Sequence, residues 1–275
     1  METERHTGEH TLRHHRRWAN STQCSQESFF WFFFFSFTFH GHCDLVLLDS
    51  PTFGQGRGLS IHVRSSPFKT LYSYISRVAV RFGDQVFEAG KGGKYIWNGR
   101  TDPPLEQLIG SDFEVGLSKG RNEAQNIITI RVNYYTQIDI RERNGWMRVR
   151  IETGAPAQEF AASAGLMGSF PDGTHLGRDG VTEFVSVDEF GMEWQVKESL
   201  DGLLFQEPSH YPDKCELLSE ATSVLRGRRL AESSISHHDA ALACMKWSAF
   251  GDDSMDECIS DVLISEDLGT AELGY

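Results

Sequence analysis

The sequence predicts a mainly β protein, an antiparallel β-sandwich carrying a small C-terminal α-helical unit. Three observations predict it. Between Cys43 and Gly168, short apolar runs alternate with polar residues at a period of two. Turn-forming residues separate these runs at close intervals. Beyond about Gly202 the apolar spacing becomes helical, and capping signatures replace glycine-rich turns.

The strands are expected at Asp44–Leu48, Leu59–Arg64, Ser73–Phe82, Gln85–Ala89, Lys94–Trp97, Phe113–Leu117, Ile127–Asn133, Gln137–Arg141 and Trp146–Glu152. Ile128, Ile130 and Val132 fall on one face of their run, and Ile127, Thr129, Arg131 and Asn133 on the other. Ile138 and Ile140, then Met147, Val149 and Ile151, repeat the pattern. One polar face per run is the mark of half-buried antiparallel strands, because a two-residue repeat sends successive side chains to opposite faces. The breakers are Gly54/Gly56/Gly58, Gly83-Asp84, Gly90–Gly93, Asn98-Gly99, Pro103-Pro104 and Asn144-Gly145. Asn144-Gly145 between two alternating runs predicts a type I′ hairpin. Short strands at this spacing imply a sandwich or barrel.

Cys215–Leu230 reads as helical, with Leu217, Leu218, Ala221 and Leu225 at helix spacing. Ser236-x-x-Asp239 predicts a cap opening a helix through Trp247, and Ser254-x-x-Glu257 a cap for a helix ending near Gly269. His237 and His238 fall in the first turn of the former and are expected to be solvated. The expected organisation is a non-domain segment 1–36, a β domain 37–215, whose bounds follow the resemblance given below, and a helical unit 216–275.

Residues 1–36 stand apart. They are polar and His/Arg-rich until an aromatic run of 11 positions, Phe29–Phe39. A membrane span needs about 20 apolar residues, so this run predicts no crossing. Its length suits the core of a secretory signal, although no A-x-A-like cleavage site follows. A Phe/Ser run is also what a pyrimidine-rich splice-acceptor tract yields when translated. The segment is therefore expected to be disordered, a targeting sequence or a gene-model artefact. Asn20-Ser21-Thr22 is a glycosylation sequon, which makes Asn20 a candidate acceptor.

Charge and cysteine narrow the function. The net charge is −13, and residues 182–275 carry 20 acidic against 6 basic side chains. Nucleic acid is not the expected partner, since phosphate binding needs a basic face. The five cysteines, Cys24, Cys43, Cys215, Cys244 and Cys258, include no C-x-x-C pair, which argues against zinc and thioredoxin-like chemistry. In an oxidising compartment, five allows two bridges and one leftover thiol.

Ordered motifs add a resemblance. Phe39-His40-Gly41-His42-Cys43 precedes Gly58-Leu59-Ser60-Ile61-His62-Val63-Arg64 and Val78-Ala79-Val80-Arg81-Phe82-Gly83. Gly165-Leu166-Met167-Gly168-Ser169-Phe170, Asp179-Gly180, Phe190-Gly191-Met192-Glu193-Trp194-Gln195-Val196 and Cys215 follow. In order and spacing, residues 37–215 resemble the von Willebrand factor type D domain, and the tail resembles the cysteine-bearing helical segment that often follows it. The resemblance implies bridges Cys43–Cys215 and Cys244–Cys258, leaving Cys24 over. It implies an extracellular or cell-surface setting, with extracellular proteins or glycans as partners. The family's W-G-D-P-H opening is absent, and with it an Asp-Pro self-cleavage site and an acidic calcium ligand. Met167 stands where many members have Cys. Of the closing calcium loop only Asp172, helped by Ser169, remains as a calcium candidate; no other cofactor is implied.

No catalytic residue is expected. Ala161-Ala162-Ser163-Ala164-Gly165 lacks the first glycine of a nucleophile elbow. Gly90-Lys91-Gly92-Gly93-Lys94 has the wrong spacing for a P-loop, and Gly54-Gln55-Gly56-Arg57-Gly58 leads into a strand rather than a helix. His40 and His42 share a strand face with no third metal ligand evident. The expectation is a non-catalytic adhesion or matrix-assembly module. The alternatives are a secreted hydrolase whose site is assembled from distant residues and a carbohydrate-binding module. A convergent pocket holding a histidine and a carboxylate would favour the hydrolase.

Overall fold

A computed structural model of the chain describes residues 39, 41–68, 72–104, 113–120, 124–169, 173–209, 213–217, 233–246 and 252–273. It is mainly β, with two large antiparallel sheets, a two-stranded antiparallel pair and a few C-terminal helices. Strands β1 (Gly41–His42), β2 (Asp44–Ser50), β3 (Leu59–Phe68), β4 (Tyr72–Phe82), β5 (Gln85–Ala89), β6 (Tyr95–Trp97) and β7 (Arg100–Thr101) come first. Strands β8 (Phe113–Lys119), β9 (Gln125–Val132), β10 (Thr136–Arg143) and β11 (Trp146–Thr153) follow, and β12 (Glu216–Leu217) closes the series. One sheet has the order β2-β3-β4-β5-β6-β7 and the other β11-β10-β9-β8; β1 pairs only with β12 among the described strands.

The alternation dictates the packing. Ile61 and Val63 from β3, Val78, Val80 and Phe82 from β4, and Phe87 from β5 share one buried cluster with Ile128, Ile130, Ile138, Ile140 and Ile151 of the second sheet. Burying a side chain of this size contributes about 1.5–3 kcal/mol, so this interior is the main source of stability. The turns match their residues. Asn144 and Gly145 both have positive φ, 53° and 92°, between paired Arg143 and Trp146. Asn98 and Gly99 do the same, at 46° and 79°, between Trp97 and Arg100. Both are the conformation a two-residue type I′ loop requires.

Three expectations need correction. Asn133 does not continue β9: it leaves the strand with φ 54°, a left-handed conformation that asparagine adopts more readily than most residues. The stretch from Cys215 opens as strand β12, not helix, because Gly41 and His42 offer it a pairing edge; residues 218–232 lie outside the described residues. The last long helix starts at Asp252, so Ser254 lies within its first turn rather than ahead of it.

The longer helices are α1 (Val187–Glu193), α2 (His237–Cys244) and α3 (Asp252–Ser265), the last followed by a 3₁₀ segment Leu268–Leu273. The Ser236 hydroxyl accepts from the Asp239 amide at 3.1 Å and caps α2 as its sequence predicts. Ala240, Cys244, Cys258, Ile259, Val262 and Ala271 form a second, separate core.

This helical unit is fixed to the second sheet by polar contacts. Arg143 Nε donates to Asp267 Oδ2 at 2.9 Å, Gln125 Nε2 to the Glu272 carbonyl at 2.7 Å, and Arg141 Nη1 to the Leu273 carbonyl at 3.1 Å. Burial pushes the Asp267 carboxyl up, but its bonds to Arg143, Gly269 and Asn144 outweigh that and hold it below the usual range. Arg143→Ala should cost about 1.5–3 kcal/mol, the worth of charge-assisted bonds. The loss should appear as faster amide exchange in 268–273 while the sandwich strands stay protected.

Candidate functional site

The motifs that carry the family resemblance converge on β2. Phe39 lies between two glycines: a Cβ on Gly41 would come within 2.2 Å of its ring, and one on Gly191 within 2.3 Å. Val46 N donates to the Trp194 carbonyl at 2.9 Å and Val196 N to the Asp44 carbonyl at 2.8 Å. Leu166 N reaches the Val46 carbonyl at 3.0 Å and Met167 N the Leu47 carbonyl at 3.1 Å. Thus Gly165–Gly168 and Phe190–Val196 both seal the edge of β2. Gly165 is required there, since its φ is 123° and a Cβ would meet the Leu47 oxygen at 2.7 Å.

The predicted bridges form. Cys43 and Cys215 are bonded with Cα atoms 5.0 Å apart, and Cys244 and Cys258 with Cα atoms 5.9 Å apart. The Cys215 amide donates to Gln195 Oε1 at 2.9 Å, which ties the first bridge to the sealed edge. Asn20, Cys24, His40 and Asp172 lie outside the described residues. Ser169, the other calcium candidate, exchanges backbone bonds with Thr174 and Gly173 across the loop. Asp179 is committed to its own turn: the Thr182 hydroxyl and amide and the Val181 amide bond its carboxylate and pull it down to about 2. Among the described residues, no three His, Cys, Asp or Glu side chains group as metal ligands. His42 sits on β1 with Nδ1 3.4 Å from Glu216 Oε2, and His237 and His238 are exposed.

The outer face of the six-stranded sheet holds a closed polar network. Residues 195–207 strap across it, with Leu204 and Phe205 packed on Ala79 and Val86. Beneath and beside the strap, Arg64 bonds Asp44 at 2.6 and 2.8 Å, Arg77 bonds Glu88 at 2.7 Å, and Arg178 bonds Asp201 at 2.6 and 3.0 Å. His62 is fully buried here, with Ser60 Oγ 3.4 Å from its Nε2. Its Nδ1 has no hydrogen-bond partner among the described residues. Burial lowers His62 to about 4, against the field of Asp201 and helped by Arg81 and Arg178. Ser60 and His62 are 2% and 0% exposed, so a substrate cannot reach them. A catalytic pair would also need an orienting acceptor on Nδ1.

An open cleft of about 400 Å³ lies at one end of the sandwich. Its walls are the Gly54–Arg57 loop after β2, the Asn133–Tyr135 hairpin between β9 and β10, and Ala155, Pro156 and Glu159 after β11. The floor is rigid. Phe53 is buried against Phe82 and Phe160, with ring centroids 5.8 and 5.3 Å away. The Glu159 carbonyl accepts from Ser50 Oγ at 2.7 Å and Thr52 Oγ1 at 2.9 Å, and its carboxylate from the Gly54 amide. The Tyr135 carbonyl accepts from Gly154 N at 2.8 Å, so the hairpin is tied to the end of β11. The rim is exposed: Tyr134 is 87% and Tyr135 64% accessible. The sequence shows each of these loops as turn residues but carries no sign that they meet.

No protein-family model matches the chain, and no curated protein matches it. Residues and geometry therefore carry the functional reading.

Proposed function

We propose that this chain is a non-catalytic, extracellular adhesion or matrix-assembly module of the von Willebrand factor type D kind. The observation that carries the reading is the Cys43–Cys215 bridge, set where the Gly165–Gly168 and Phe190–Val196 segments both bond to β2. Disulfides persist in oxidising compartments, and four of the five cysteines are in bridges. No helix among the described residues is long and apolar enough to cross a membrane. The hydrolase alternative needs an accessible nucleophile beside a base, and Ser60 with His62 is sealed instead.

The test has two parts. The chain is produced through a secretory route and its bridges are mapped without reduction; Cys43–Cys215 and Cys244–Cys258 are expected. The oxidised protein is then incubated with cultured cells and with deposited extracellular matrix. Retention on either supports the reading. Five free thiols, or no retention on both surfaces by correctly bridged protein, would overturn it.

A further inference from the structure

The Gly54–Arg57/Asn133–Tyr135 cleft has the chemistry of a sugar site, and we infer that it binds a neutral glycan. The inference rests on the extracellular reading above and names its ligand class.

Four side chains at the cleft are left over by the fold. Gln55 and Asn133 make no side-chain hydrogen bond within the described chain, and neither do the hydroxyls of Tyr134 and Tyr135. Yet the backbone that carries them is strained. Gln55, Asn133 and Tyr134 have φ of 60°, 54° and 56°. A bulky residue such as Tyr134 is a genuine outlier in the left-handed region. Strain of this kind collects where function requires an aimed side chain. Here it sets two amides and the Tyr134 phenol around one open volume, with the exposed Tyr135 beside them.

A sugar ring presents an apolar C–H face and a rim of hydroxyls that each donate and accept. Tyrosine offers a flat apolar ring with a polar tip. An amide offers an acceptor and two donors side by side. The volume, about 400 Å³, is in the range of small-ligand sites. The charged lining is Arg57 and Glu159, one of each sign, so the cleft is balanced. That favours an uncharged ligand over a sulfated or phosphorylated one. Tyrosine-rich surfaces also bind proteins, and the test separates that outcome.

The full, oxidised chain is titrated with neutral hexose and N-acetylhexosamine oligosaccharides, binding being read by saturation-transfer NMR on the sugar protons. Two variants, Gln55→Gly and Tyr134→Gly, remove a cleft side chain while giving its positive φ to glycine. Each should weaken binding at least tenfold and leave the melting temperature unchanged or slightly raised. Absence of binding across these oligosaccharides, or binding that both variants preserve, would overturn the proposal. Cell or matrix retention that survives enzymatic removal of surface glycans would also overturn it while leaving the module reading intact. Loss of retention on deglycosylation and in both variants supports it.

Discussion

The double replacement Cys43→Ser with Cys215→Ser should lower the unfolding free energy by about 3–5 kcal/mol. The bridge spans a separation of 172 residues. Loop-closure entropy for so long a segment sets a ceiling of about 5 kcal/mol, and removal of native bridges typically costs 2–5. Whole domains have only about 5–15 kcal/mol in hand. The native neighbourhood adds little to replace it. β1 and β12 pair through two residues each, and both cysteines are buried, at 2% and 3% exposure. Denaturant titration of the non-reduced protein, followed by tryptophan fluorescence, measures the change. The loop closed by Cys244 and Cys258 has a separation of 14 residues, for which the same model gives about 3 kcal/mol. Its removal should melt the helical unit and leave the sheets folded. A loss below about 1 kcal/mol for the Cys43/Cys215 pair would mean that the sealed edge of β2 holds without its covalent clasp.

Acidification should destabilise the chain through His62, by about 2 kcal/mol between pH 7 and pH 5 and by about 3 kcal/mol near pH 4. The sign follows from the two states. In the unfolded chain the imidazole takes a proton near 6.5; in the fold it stays neutral down to about 4. Between those values the unfolded state binds the extra proton. Stability is therefore full above about 6.5, falls as pH drops toward 4, and loses nothing further from this group below that. The cause is burial beneath the 195–207 strap, which outweighs the attraction of Asp201 and is helped by the nearby positive charges of Arg81 and Arg178. His62→Leu removes the titrating group. Its unfolding free energy should vary less with pH than that of the parent over the same interval, by the amounts given. Parallel pH profiles for the two proteins would show that His62 is solvated or paired.

The two sheets are legible in the sequence because burial on one face leaves a two-residue record. Ile128, Ile130 and Val132 are written as core and found as core. The Asn144-Gly145 and Asn98-Gly99 turns are legible because few residues tolerate positive φ. Elements too short to show a period are hidden. β1 and β12 have two residues each, and their pairing depends on a contact between distant segments. Helix α1 spans only 7 residues, although Ser186-x-x-Glu189 announces it: the Ser186 hydroxyl accepts from the Glu189 amide at 3.3 Å. His62 reads as one polar position in an alternating strand; only the strap that covers the face shows it to be sealed. The cleft is hidden for a similar reason. Residues 54–57, 133–135 and 155–159 become neighbours only when the sandwich closes.

The joined β1 and β12 carry a mechanical consequence. The chain enters the sandwich beside the point where it leaves, and a covalent link with Cα atoms 5.0 Å apart clamps the two together. Tension drawn between the residues ahead of Gly41 and those beyond Leu217 loads the short β1–β12 pair and then the bridge behind it. The strands between Cys43 and Cys215 are bypassed by that load, so they keep their pairing under tension until the clamp is reduced.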